Sequence, residues 1–199
     1  MENYESAKDR QKYISKSHKG YDKIKLAIYD YVSGLTSAVN DYLRNGYKWQ
    51  AVTKYLDNAF YSKYATVDKA DLYRTVTKDY LKNVHNINVD NIDDYIGSTI
   101  VNEGYMSCSK TLINPWGGSW FSDEVILHIY SNNKVTYLDI DKIFENDELP
   151  SGEQEEILLQ RKTRLRIIGS YRQFDEGLPP GHYEKFSPDG SLVIQCTIN

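Results

Sequence analysis

Apolar side chains in the first third of the chain recur at helical spacing. Ile24, Ala27, Ile28, Tyr31 and Val32 fall on one face, and Asp22 is placed to cap the helix that carries them. Gly34 breaks that run. Leu35, Ala38, Val39, Tyr42 and Leu43 then form a second stripe at i, i+3, i+4, i+7 and i+8. Asn40 and Arg44 flank this stripe four residues apart and share one side. Asn45-Gly46 closes it. Trp49, Val52, Leu56, Ala59 and Phe60 make a third amphipathic helix, so the chain reads as helical through residue 65. Residues 1–20 hold many charged and few large apolar groups and read as an exposed helical arm, with the folded domain over 21–199.

The period then changes. Asp71–Val76 alternates like a strand and carries Arg74. A short helix is expected near Val89–Tyr95, and a strand over Gly104–Ser109. Asn114-Pro115-Trp116-Gly117-Gly118-Ser119-Trp120 reads as a turn-rich loop with two large aromatics. Val125–Tyr130 and Val135–Ile140 read as strands joined at Ser131-Asn132-Asn133. Ser151-Gly152 leads through Glu153-Gln154-Glu155-Glu156 into Ile157-Leu158-Leu159, a loop feeding a buried strand with polar groups at its mouth. Strands over Thr163–Ile168 and Leu192–Ile198 follow, the last after a turn at Ser187-Pro188-Asp189-Gly190. Helices first and strands later predict an α+β domain rather than a doubly wound sheet.

Composition narrows the class. The 199 residues are 40% hydrophobic and 26% charged, with mean hydropathy −0.61 and no apolar run near bilayer length. The first residues are polar, which argues against secretion by the general route and for a cytoplasmic site of action. Cys108 and Cys196 make no disulfide framework, and the four histidines have no ligand spacing. No metal site and no membrane partner are expected. The net charge of −4 argues against a strong non-specific grip on nucleic acid, although Arg161, Lys162, Arg164 and Arg166 offer a local basic row. The absence of a Gly-x-Gly-x-x-Gly loop excludes dinucleotide binding of the Rossmann kind.

An Arg on a strand, a Ser-x-Ser strand and a loop ending in Gln-x-Glu follow one another in chain order. Together they resemble the Arg–Ser-x-Ser–Glu class of mono-ADP-ribosyltransferases, which includes the clostridial Rho-modifying exoenzymes and the actin-modifying binary toxins. Ala27-Ile28-Tyr29-Asp30-Tyr31 and Asn40-Asp41-Tyr42-Leu43-Arg44 are similar to that class's tyrosine-rich helix and Asn-x-x-Leu-Arg segment. The resemblance spans residues 24–198. It implies N-terminal helices packed on a two-sheet mixed β-sandwich. It also implies an enzyme that cleaves the nicotinamide–ribose bond of NAD and passes ADP-ribose to an acceptor.

The resemblance assigns roles. Glu156 is the carboxylate that stabilises the oxocarbenium-like transition state and holds the ribose 2′-hydroxyl. Ser107 orients Glu156, and Ser109 supports the strand. Arg74 and Arg44 contact the NAD phosphates, with Asn40 as a helper. Gln154 orients the acceptor. Glu153-Gln154-Glu155 also spells Glu-x-Glu one residue earlier, and the apolar run favours Gln154 with Glu156. In the class, Gln-x-Glu members modify amides or nucleobases, and Glu-x-Glu members mostly modify arginine. Cys108 stands where the class usually has Thr and is expected to take no part in catalysis.

Two departures exclude Rho as the expected target. The loop before Gln154 lacks the aromatic residue of Rho-modifying members, and the chain is not basic. The expectation is a bacterial or phage toxin or effector, reaching its target cell by a non-Sec route. Its acceptor is a protein amide or a nucleobase in RNA or DNA, and an antitoxin or inhibitor is a possible partner. An NAD glycohydrolase and a non-catalytic binding domain of the same fold are the rival readings.

Overall fold

Asp22 caps the first helix as expected. Its carboxylate accepts from the backbone N–H of Ile24 at 3.0 Å and of Lys25 at 2.8 Å, satisfying two donors that the helix itself leaves unpaired. The computed structural model describes residues 20–45, 50–112, 124–144, 155–173 and 191–198. Residues 1–19, the tryptophans at 49, 116 and 120, the Ser187–Gly190 turn and Gln154 lie outside them. Helix α1 covers Lys23–Asp30, α2 Thr36–Arg44 and α3 Gln50–Ala59. Gly34, at φ 132°, kinks the chain inside a wide turn, Tyr31–Leu35, that joins α1 to α2.

The strands are β1 Ala65–Asp68, β2 Asp71–Thr77, β3 Thr99–Asn102, β4 Met106–Ser109, β5 Glu124–Tyr130, β6 Val135–Asp139, β7 Glu156–Leu159, β8 Thr163–Gln173 and β9 Ser191–Ile198. Between them run α4 (Lys78–His85), a 3₁₀ helix over Val89–Tyr95 and the short α5 (Ile140–Ile143). Sequence pattern alone misses β1, β3 and α4, and it assigns Ile140 to a strand where the residue instead opens α5 behind the cap of Asp139. Among the described residues no helix is long and apolar enough to cross a membrane.

The hydrogen-bonded order is β1-β6-β7-β4-β2-β5-β9-β8-β3. The β5–β9 pair is parallel and the other pairs are antiparallel, so the sheet is mixed. Among the described residues a single rung, Tyr73 opposite Ser109, joins β2 to β4. The strands thus form two halves, β1-β6-β7-β4 and β2-β5-β9-β8-β3, which meet edge to edge at that rung.

Among the described residues, two large cores hold the layers. Met106, Cys108, Ile157 and Leu159 from the first half pack with Leu72, Val76, Val125, Leu127, Ile129, Leu165, Ile167, Ile194 and Cys196 from the second, making the sandwich interior. On the outer side of the first half, Leu138, Leu158 and Tyr105 pack against Ile28, Tyr31, Val39, Val52, Leu56 and Phe60 of the helical segment. Alternation along β7 divides its residues accordingly: Ile157 and Leu159 face the sandwich interior, and Leu158 faces the helices.

Candidate functional site

In the β4–β7 ladder Ser109 lies opposite Glu156, Cys108 opposite Ile157, Ser107 opposite Leu158 and Met106 opposite Leu159. Directly opposed residues share a face. Ser107, Ser109 and Glu156 therefore look toward the helices, on the side of Leu158. A slip of one residue would turn Glu156 into the sandwich interior and bring Glu155 out in its place.

Glu156 is 9% exposed at the first position of β7. Burial raises its carboxyl above the usual glutamate range, and Asp141 pushes the same way. A hydrogen bond from Ser107 and the Arg74 guanidinium pull it down, and burial prevails. Arg74 donates from Nη1 to the Ser107 carbonyl at 2.6 Å, crossing from the second half of the sheet to the first. No carboxylate among the described residues forms an ion pair with that guanidinium. The Tyr31 phenol belongs to the same cluster: its hydroxyl donates to the Tyr105 carbonyl at 3.4 Å, and both Glu156 and Arg74 act on it electrostatically. Burial pushes the Cys108 thiol up to about 12, so it stays a thiol rather than a nucleophilic thiolate.

Glu155 takes a different course. Its backbone is left-handed at φ 44°. Its carboxylate accepts from Thr111 Oγ1 at 2.6 Å, and its carbonyl accepts from the Lys110 N–H at 3.0 Å. This turn delivers Glu156, not Glu155, to the Ser107–Arg74 cluster. Ser109 supports the same corner, since its hydroxyl accepts from the Thr111 N–H at 3.2 Å. Lys110 is held by Asp139 at 2.8 Å and Asp141 at 3.1 Å.

Asn40 is buried, and its amide is engaged by protein. Oδ1 accepts from the Tyr105 N–H at 2.9 Å. Nδ2 donates to the Tyr105 carbonyl at 3.1 Å and to the Tyr31 hydroxyl at 2.9 Å. Arg44, one turn further along α2, is exposed and pairs with Asp41 at 3.0 Å. The basic row is not uniform. Arg161 is held by both carboxylate oxygens of Asp57, each at 2.8 Å, while Arg164 and Arg166 are exposed on β8. Sequence reading missed Tyr105 and Asp57 as parts of this network and took Tyr31 only as part of the tyrosine-rich helix. No spacing rule links residues so far apart in the chain, and a tyrosine excess of 18 hid Tyr105.

A buried, destabilised carboxylate beside a guanidinium suits a reaction in which positive charge develops on the substrate, because the carboxylate gains most when that charge appears. Residues 4–183 match the family model described as ADP-ribosyltransferase exoenzyme. Among solved structures, an ADP-ribosyltransferase from Clostridium botulinum aligns at 20% identity over 100% of this chain and 96% of that one, with TM-score 0.61. The C3 exoenzyme of Clostridium limosum aligns at 17% over 100% and 96%, with TM-score 0.64. The ADP-ribosylating toxin component of a C. perfringens binary enterotoxin, solved with NADH, aligns at 16% over 99% of this chain and 48% of its own, with TM-score 0.64. No curated protein matches.

Proposed function

The chain belongs to the ADP-ribosyltransferase exoenzyme family and is an NAD-dependent mono-ADP-ribosyltransferase, and from that premise we propose that it modifies a protein amide side chain, with Glu156 as its catalytic carboxylate. The observation that carries the reading is the placement of Glu156: buried at the start of β7, on the same face as Ser107, and within the field of Arg74. NAD supplies the bond to be cleaved: nicotinamide leaves with the electron pair of the glycosidic bond, and the acceptor amide nitrogen then bonds to the ribose carbon and gives up one of its protons to solvent.

The residues present fit NAD. Arg74 retains donors beyond the one spent on the Ser107 carbonyl and offers them to the phosphates. Arg44 is exposed, and Asp41, its ion-pair partner among the described residues, is exposed too, so Arg44 is available as a second phosphate contact. Asn40 helps by holding the segment before β4 rather than by reaching the ligand. Glu156 faces the developing positive charge and accepts from the ribose hydroxyl. Gln154, two residues before it, orients the acceptor with one donor and one acceptor group, which matches an amide. The overall charge of −4 and the engagement of Arg161 by Asp57 favour a protein acceptor over a nucleobase. Residues 21–199 form the catalytic domain and 1–20 an arm. The protein acts inside a cell, where NAD and acceptors coexist.

The test is to incubate purified protein with labelled NAD and cell extract beside a Glu156→Gln variant. Label on material removed by protease, and a loss of at least about 100-fold in the variant, is the expected result. Label removed by nuclease moves the acceptor to nucleic acid. Free ADP-ribose alone makes the protein a glycohydrolase. NAD left intact in every extract overturns the catalytic assignment.

A further inference from the structure

The two strands that bear Ser107 and Glu156 are gripped together at their far end, by a helix that bears neither. Tyr105, fully buried, stands immediately before β4, and Arg161 stands two residues beyond β7. Because Met106 pairs with Leu159, these two residues are neighbours at one end of the β4–β7 ladder. Asp57 on α3 meets both. Its Oδ1 accepts from the Tyr105 hydroxyl at 2.7 Å, and its two oxygens take the Arg161 guanidinium in a forked pair at 2.8 Å each. The Thr53 carbonyl, one turn back on α3, lies 3.2 Å from the same hydroxyl. Burial, with the Asp57 carboxylate adding to it, keeps the Tyr105 phenol protonated, so it remains a donor.

The grip on Tyr105 continues inward. Asn40 holds its N–H and its carbonyl, and its ring lies edge-on to Tyr31 at 5.5 Å and parallel to Phe60 at 6.2 Å. Backbone, ring and hydroxyl are thus fixed by three helical elements. Ser107 is two residues away. Glu156 is three rungs along the ladder, about 10 Å at the usual strand rise. A tilt or slip of β4 against β7 at the clamped end would reach the Ser107–Glu156 pair directly.

We propose that Asp57 is a positioning residue: by joining Tyr105 to Arg161 it fixes the height of β4 against β7 and so holds Ser107 against Glu156. The proposal rests on the catalytic reading of Glu156. It requires that cutting either arm harms turnover rather than NAD binding, since neither Tyr105 nor Arg161 is among the residues assigned to NAD.

The experiment compares Tyr105→Phe, which cuts the β4 arm, with Arg161→Gln and Arg161→Lys, which cut and weaken the β7 arm. Nicotinamide release gives kcat and KM for NAD, and thermal melts report the folded fraction. The expected result is a kcat lower by about tenfold in Tyr105→Phe and in Arg161→Gln, with KM within about twofold of the parent. Arg161→Lys should recover at least threefold over Arg161→Gln. A kcat within twofold of the parent in folded Tyr105→Phe, or a raised KM at unchanged kcat, overturns the proposal. If Arg161→Gln does not fold, Tyr105→Phe decides, because it removes one oxygen atom. If the parent protein itself releases no nicotinamide, the catalytic reading falls. Amide exchange then settles the clamp on its own: faster exchange along β4 and β7 in Tyr105→Phe, with β8 and β9 unchanged, sustains it, and equal exchange removes it.

Discussion

At the scale of single residues, Glu156 carries a conflict that function requires. The fold favours its neutral acid, because burial outweighs the Ser107 hydrogen bond and the Arg74 charge. Charge stabilisation needs the anion. Turnover should therefore decline on the acid side at a pH above the ordinary glutamate value of 4.5, as a pH profile of kcat will reveal. Stability follows the opposite sign. A carboxyl whose folded pKa is raised contributes stability below its unfolded value and loses it as pH climbs through the folded one. Glu156→Gln should accordingly melt higher at pH 7 and show little gain at pH 4. An unchanged melting temperature at pH 7 would mean that burial does not strain this carboxylate. The strands that carry Glu156, Ser107 and Arg74 were legible in the sequence, because each shows a recognisable strand pattern. The place of Asn40 on α2 was legible, but pattern does not reveal that its amide is spent on Tyr105.

At the scale of elements, the junction before β4 is packed to its limit. A Cβ built on Gly104 would collide with the Asn40 Oδ1 and meet its Cγ at 2.7 Å. Asn40 cannot retreat, because its amide staples Tyr105 and its own helix is fixed by the core beneath it. Gly104→Ala should then cost about 1–3 kcal/mol in chemical denaturation and lower turnover through the displaced strand. A fully stable Gly104→Ala would show that the staple yields. The helices were read well because three stripes of large apolar residues repeat the helical period. The missed β1 and β3 are four residues each and border the sheet, too short for alternation to declare itself. The missed α4 has a single fully buried side chain, Leu81, so its local capping by Thr77 and Asn86 was the available signal.

At the scale of the whole molecule, the order of helices before strands was visible, and the seam between the sheet halves was not. A seam is set by which strand edges meet across long separations, and no local period encodes that. Arg74 belongs to one half and Glu156 to the other, so a ligand that engages both spans the seam. NAD at about 100 times its dissociation constant should add roughly 2.7 kcal/mol to unfolding stability, and the gain should shrink in Arg74→Ala. Equal gains in the two proteins would place NAD on one half alone. The rung of Tyr73 and Ser109 has one more consequence. Paired strands normally bind two lineages of substitutions together, because a change on one edge must be answered on the other. Here the apolar interior asks for volume rather than register, and among the described residues alignment rests on the Tyr73–Ser109 rung and the Arg74 bond to the Ser107 carbonyl. Substitutions elsewhere in either half should therefore leave Arg74 and Glu156 in place so long as those two contacts hold.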